Sequence, residues 1–378
     1  MDEFTPKYVR RGETRSPDPV VAVAEFAGMV EQPEIAFVIF FCSADYDLPV
    51  LAGEFRRGFN CPVIGCTSAG EIGSTYQEGG IVGASFSSAA FRLHTLPIEL
   101  REPFSEASAA AAAQAIQSGL EFSDGLNSSQ MFGLLLIDGL CLREEQTIAS
   151  LYRGFEGVPI FGGSAGDSLK FERTSVYFDG EFRESAAVFA LIETRLRFQV
   201  FRLQHFEPSE MELVITESEP TRRVVTEIDG EPAAAAYAEI IGMKKDNLSS
   251  QVFAAYPVML QIGDEWYVRS IAKTNDDGSL TFFCAIDNGL PLNIARGVGF
   301  VESLSDKIDE IRKAFPRIEM TLGCDCILRR LEMRDSGQQP AVESLLQNIN
   351  FMGFSTFGEQ FNSIHVNQTL TGVVLAGD

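Results

Sequence analysis

Two stretches decide the fold: RGFNCPVIGCTSAGE at 57–71 and RGFEGVPIFGGSAGD at 153–167. They match at a constant offset. Arg57, Gly58 and Phe59 fall on Arg153, Gly154 and Phe155, and Ser68, Ala69, Gly70 and Glu71 fall on Ser164, Ala165, Gly166 and Asp167. Self-similarity at a fixed spacing marks a duplicated supersecondary unit. Upstream of each copy lies an apolar run, IAFVIFF (35–41) and FGLLLI (132–137), continuous rather than alternating, as a strand buried on both faces should be. Between run and motif, DLPVLAGEFRRGF (47–59) and REEQTIASLYRGF (143–155) carry apolar residues at helical spacing. Each copy therefore reads as strand, helix, strand, the right-handed crossover that joins parallel strands. A third echo follows near the C-terminus: EMTLGCDCIL (319–328), PAVESLLQNI (340–349) and NFMGFSTFGE (350–359), ending in the same glycine, hydroxyl pair, glycine and acid.

The middle of the chain differs. TRLRFQVFRLQHFEP, MELVITES, RRVVTEIDG, QVFAAYPVMLQI and EWYVRSIAKTNDDGSLTFFCAI are rich in Val, Ile, Phe and Tyr, and Asn275 to Gly278 is a hairpin signal. The segments 231–242 and 302–315 read as helices. The expected fold is α/β: two lobes with duplicated βαβ units on mixed or parallel sheets, plus an antiparallel β-rich segment in the C-terminal half. A length of 378 residues exceeds what one core serves, and the expected domains are 20–203 and 204–378.

Composition narrows the function. A formal net charge of -23 repels nucleic acid and anionic lipid alike. The N-terminal stretch lacks an apolar h-region and no run of about 18 apolar residues occurs, so the expected location is the cytoplasm, without a membrane span. Seven cysteines without zinc-like paired spacing read as free thiols. The 30 phenylalanines fill a core or line an apolar pocket.

The chemistry rests on glycine corners and histidines. Small residues after a buried strand free backbone N–H groups and admit close approach, so Gly65, Ser68, Gly70 and Glu71, then Ser164, Gly166 and Asp167, then Gly358 and Glu359 could line a crevice at the strand ends. The same residues also make tight turns and cap helices. None forms GxGxxG or GxxxxGK[ST], so nucleotide binding is not indicated. HExxH and GxSxG are absent, and three histidines leave few groups for acid–base work near neutrality; no enzyme is expected. His94 sits in a strand-like segment and His205 at the entry to the β-rich region. His365 follows the third corner, with Phe357 and Phe361 before it and Asn367 and Gln368 after it. A neutral imidazole among aromatics, oriented through its second nitrogen, suits an axial haem ligand, and equally a buried histidine that ties down a loop.

The stretches VIGCTSAGEI (63–72), FGGSAGD (161–167), 203–242, VRSIAKTNDDGSLTFFCAIDNG (268–289), LGCDCILRRLE (322–332) and GFSTFGEQFNSIHVNQTLTGV (353–373) resemble the FIST N and FIST C domains of signalling proteins, over nearly the whole chain. Within that family they are most similar to the haem-binding nitric oxide sensors (NosP-like proteins). The resemblance implies a sensor that binds non-covalent b-type haem, takes up nitric oxide, and regulates a separate histidine kinase, diguanylate cyclase or phosphodiesterase; a homodimer stays open. It implies His365, or else His205, as iron ligand, with Arg329 and Arg330 facing the propionates. The alternative is a haem-free sensor of a small, amino-acid-like metabolite.

Overall fold

The computed structural model describes residues 6–122, 125, 127 and 129–377. The first copy runs β1 (Val9–Thr14), α1 (Pro19–Met29), β2 (Ile35–Ser43), α2 (Leu48–Gly58), β3 (Val63–Ser68), a hairpin of β4 (Glu71–Ile72) and β5 (Tyr76–Gln77), and β6 (Ile81–Ser87). The second repeats this order: β7 (Phe91–Glu99), α3 (Glu106–Gln117), β8 (Met131–Ile137), α4 (Glu144–Gly154), β9 (Ile160–Ser164), β10 (Val176–Phe178), β11 (Glu181–Arg183) and β12 (Ala186–Thr194). Helix starts follow local chemistry. Asp18 accepts from the Val20 and Val21 amides ahead of Pro19, and Asp47 accepts from the Val50 amide ahead of Pro49.

The third copy begins with β13 (Phe198–Leu203) and is then interrupted. The interruption holds β14 (Phe206–Glu219), β15 (Val224–Ile228), β16 (Glu231–Pro232), α5 (Ala233–Ile240), α6 (Ser250–Ala255), β17 (Val258–Ile262), β18 (Glu265–Arg269), β19 (Ile271–Thr274), β20 (Leu280–Phe282) and β21 (Pro291–Gly297). The copy resumes as α7 (Phe300–Ala314), β22 (Ile318–Cys326), α8 (Ile327–Asp335), α9 (Gln339–Gln347), β23 (Phe351–Thr356), β24 (Glu359–Phe361), β25 (Ile364–Val366) and β26 (Leu370–Ala376).

Three six-stranded sheets result, β1-β6-β2-β3-β10-β11, β7-β12-β8-β9-β24-β25 and β13-β26-β22-β23-β4-β5, with one shared order. In each, the crossover pair is parallel and its return strand antiparallel. The far edge is always borrowed: β4 pairs with β23, β10 with β3 and β24 with β9, so each copy completes the sheet of another in a closed cycle. The expected mixed α/β fold with duplicated crossover units is therefore present, with the C-terminal echo as a full third copy.

All three sheets turn one face to a common core that includes Phe37, Phe41, Phe132, Phe161, Met320 and Phe354. Stacking of Phe41 on Phe354 at 4.2 Å joins the first sheet to the third. The outer faces are covered by α1 and α2, by α3 and α4, and by α7 and α9. This double burial is why β2 and β8 read as unbroken apolar runs, while β22, equally buried, carries Glu319, Thr321 and Asp325 among its apolar residues. The insertion forms an antiparallel sheet with its own core of Leu213, Ile215, Val225, Tyr237 and Phe253, and the Asn275–Gly278 turn joins β19 to β20 as the sequence predicts. All seven cysteines are free, and among the described residues no helix is long and apolar enough to cross a membrane.

The cycle requires the corners to touch. A Cβ on Gly166 would lie 2.6 Å from the Ala69 amide nitrogen. Gly166→Ala is therefore expected to lower stability by about 1–3 kcal/mol in urea unfolding. Gly53→Ala, in the interior of α2 where a Cβ meets only ordinary contact at 3.8 Å, should raise it by about 0.5–1 kcal/mol.

Candidate functional site

The three corners meet at the centre of the cycle and are laced by backbone hydrogen bonds. Gly166 N–H donates to Thr67 O (3.1 Å), Ala69 N–H to Ser355 O (2.8 Å), Ser355 N–H to Gly70 O (2.7 Å) and Ser164 N–H to Gly358 O (2.8 Å). The small residues thus bring backbones together. Gly65 lies within β3, paired with Phe40 and Tyr177.

The acids of the motifs divide. The Ser68 hydroxyl donates to Glu71 Oε1 (2.5 Å), and the Thr356 hydroxyl donates to Glu359 Oε1, the same hydroxyl–acid pairing three residues apart. Glu359 Oε2 accepts from the Thr369 amide (3.1 Å) and hydroxyl (2.8 Å), whereas Glu71 Oε2 has no partner. Burial pushes Glu71 up to about 7 and Glu359 up to about 8, against the hydroxyls that favour their ionised forms. Asp167 plays another part: its carboxylate accepts from the amides of Phe171 (2.9 Å), Glu172 (2.7 Å) and Arg173 (2.8 Å) and organises a loop.

His205 is sealed in an internal network. Its Nε2–H donates to Glu332 (2.9 Å), and its Nδ1 accepts from Arg329 Nη1 (3.0 Å); Arg329 Nε in turn donates to Asp325 Oδ1 (2.7 Å), whose other oxygen accepts from the Tyr76 hydroxyl (2.5 Å). Rings of Phe206 and Phe300 flank the imidazole. Neither ring nitrogen is left for a metal. Arg330 donates to Ala69 O (3.3 Å) and Gln77 O (3.2 Å), so both guanidinium groups are committed inside the fold rather than to a propionate. His94 lies on β7 against Glu193 (3.1 Å).

The surroundings of His365 are different. It sits on β25, 1% exposed, and its Nδ1 accepts from Gln360 Nε2 (3.2 Å), which also donates to Ser164 Oγ (3.0 Å). Its Nε2 has no partner. Arg269 Nη1 donates to His365 O (3.0 Å), and the Ser270 amide donates to Asn367 Oδ1 (3.3 Å), so β18 and β19 of the insertion close the site. On the far side, Glu144 and Glu145 of α4 bind Arg223 (both 2.5 Å), clamping the insertion onto the second copy. Desolvation holds the His365 pKa below its ordinary value despite Glu145 and Glu144 nearby, so the ring is neutral.

Unsatisfied polar atoms gather here: His365 Nε2, Asn367 Nδ2, Arg269 Nε, Gln360 Oε1 and Ser270 Oγ are all buried without partners. Each such group costs about 1–3 kcal/mol if nothing meets it. Three are donors, the complement of an acceptor-rich group such as a carboxylate, and Gln360 Oε1 is an acceptor, the complement of an ammonium or hydroxyl. A Cβ on Gly358 would stand 2.7 Å from His365 Nε2 and 3.0 Å from Asn367 Nδ2, so the bare α-carbon of the third corner fronts both donors.

The donor chemistry of His365 suits iron, but this closed arrangement does not fit a porphyrin: Gly358 abuts Nε2, and Arg329 and Arg330 are engaged elsewhere. Phe357 is buried beside the corner, and Phe361 lies under the Arg202 guanidinium (5.6 Å). Among the described residues no group of three or more His, Cys, Asp or Glu could hold a metal. Arg269 and Gln360 join the site without having stood out as candidates in the sequence, whereas Asn367 is marked there as a polar neighbour of His365. The signal for Arg269 is a lone arginine inside the apolar strand WYVRSIA.

The carboxyl of Glu359 gives a pH test. Below its ordinary 4.5 both folded and unfolded chains hold the proton; between about 4.5 and 8 only the folded chain does. Its contribution to stability is thus full in acid and lost as pH rises to about 8. Glu359→Gln is expected to flatten that decline in urea midpoints measured across the window.

Comparison with known proteins shows the family. The FIST N domain model matches residues 36–231 and the FIST C domain model matches 233–362. An uncharacterized protein of Methanocaldococcus jannaschii is 31% identical over 84 residues, which cover 22% of this chain and 16% of that protein. With both domain models matched in order across its threefold core and insertion, the chain belongs to the FIST family.

Proposed function

We infer that this chain is a sensory binding protein that takes a small, amino-acid-like metabolite in the chamber around His365 and reports its presence to a separate enzyme. FIST domains are associated with sensory signal transduction. The observation that carries the ligand class is the set of buried atoms left without partners around one imidazole: donors on His365, Asn367 and Arg269 and the acceptor Gln360 Oε1. A carboxylate answers the donors and an ammonium the acceptor. In this reading the role is binding.

The output partner in this reading is a histidine kinase, diguanylate cyclase or phosphodiesterase acting from the cytoplasm. The chamber lies where the second copy, the third corner and the insertion meet, so occupancy changes how these parts pack, and a partner reading that junction receives the signal.

Nitric oxide sensing through b-type haem is the second reading, favoured by one feature: the buried imidazole of His365, whose Nδ1 is fixed and whose Nε2 is unpartnered. Bound haem would supply an iron that takes the gas. It requires the third corner to leave Nε2.

Thermal shift against free amino acids tests the first reading. A ligand at 100 times its Kd adds about 2.7 kcal/mol of stability. The wild type should show such a rise with at least one compound, and Asn367→Ala and His365→Ala should abolish it. No shift with any, together with a Soret band on haem addition that His365→Ala removes, would replace it with the second.

A further inference from the structure

A cleft lies at the pole of the third sheet away from the corners. It has a volume of about 420 Å³, between the link from β12 to β13, the turn from α7 into β22 and the end of β26, and its lining includes Arg195, Leu196, Arg197, Phe315, Pro316 and Arg317. That volume lies in the range of small-molecule sites. β22 runs from this turn to the level of Thr356, roughly 26 Å at about 3.3 Å per residue, so the cleft is separate from the corners and from His365.

The charge of the cleft runs against that of the chain. The net charge is -23, yet three arginines and no carboxylate stand among the described residues that line it. Elsewhere arginines meet carboxylates, as Arg173, Arg202 and Arg223 do. Arg195 and Arg197 instead lie over the rings of Phe122 (4.4 Å) and Phe315 (5.4 Å), and neither forms an ion pair among the described residues. Stacking engages the face of a guanidinium and leaves its in-plane N–H groups available. Leu196 between them is buried, so the segment is anchored while both cationic side chains stay exposed. Arg312 and Lys313, exposed in the last turn of α7, add positive charge beside the cleft, and Glu310 before them is taken up by Lys307.

We propose that this cleft binds a small molecule carrying a phosphate group, with Arg195 and Arg197 donating to its oxygens, Arg317 adding charge, and the rest of the ligand against Phe315 and Pro316. A phosphate ester brings a charge of about -1.5 to -2 and three acceptor oxygens, which suits several guanidinium groups better than one carboxylate does. A small ligand is favoured over an acidic protein by electrostatics. Screening confines the attraction to about 8–10 Å, whereas a large acidic surface also meets the repulsion of the rest of a chain at -23. Occupancy here does not depend on what the His365 chamber binds. Because the β12–β13 link joins the second copy to the third, a bound phosphate ties that link to the third copy's turn.

Isothermal titration with pyrophosphate, at an ionic strength held constant with sodium chloride, tests this. The wild type should bind it saturably at one site per chain. Arg195→Gln and Arg197→Gln should each weaken binding about tenfold. Arg101→Gln, the same loss of charge beyond the other end of β7, should leave it unchanged. All three side chains are exposed, so urea midpoints without pyrophosphate should match the wild type and show an intact fold. Absence of saturable binding, or an equal loss in Arg101→Gln, overturns the site. Citrate bound as tightly as pyrophosphate would overturn the phosphate assignment. Co-sedimentation with phosphatidylcholine vesicles carrying phosphatidic acid, without pyrophosphate binding, would place the phosphate on a membrane and overturn the small-molecule assignment.

Discussion

Each sheet of this protein is finished by a strand pair that another copy donates. That exchange makes the rest necessary. A hairpin reaches a neighbouring sheet only if the chain turns within a few residues of the parallel pair, close to the axis where the three copies meet. Backbones there approach to hydrogen-bonding distance, as between Gly166 and Thr67, Ala69 and Ser355, and Ser164 and Gly358. The corners are therefore built of Gly, Ala, Ser and Thr, and the carboxyls that follow, Glu71 and Glu359, are carried into the interior with only hydroxyls and amides to meet them.

Two histidine networks beside these corners show how the same residue type serves different ends. Around His205 both ring nitrogens, and Nε and Nη1 of the neighbouring Arg329, find internal partners, and the group acts as a polar rivet between α8 and the start of the insertion. Around His365 the partners run out. What separates a structural histidine from a candidate binding one is the count of satisfied atoms, since both rings are neutral, buried and close to aromatic side chains or carboxylates.

Much of the scaffold was legible in the sequence. The crossover units were readable because doubly buried strands leave continuous apolar runs and because the corners repeat residue by residue; the β-rich insertion was readable from Val, Ile, Phe and Tyr content and the Asn275–Gly278 turn. The exchange of hairpins was not, since β4 and β5 are two residues each and carry no period. Alignment of the motifs also set Asp167 level with Glu71, yet a longer loop gives that carboxylate backbone amides to hold instead of a serine. His365 was visible through its neighbours, whereas Arg269 arrives from a strand nearly a hundred residues away, which local pattern does not reveal.

The position of β26 has a bearing on biosynthesis. Leu370–Ala376 is an interior strand, between β13 and β22, and β23 must be in place before β4 can dock. The first sheet can be completed once β11 has been made, but the second waits for β24 and β25 and the third for β26, so the nascent polypeptide carries two unfinished sheets with bare edges meanwhile. Such edges invite misassociation, so maturation of this protein should depend on chaperones that shield them until translation of that strand is finished.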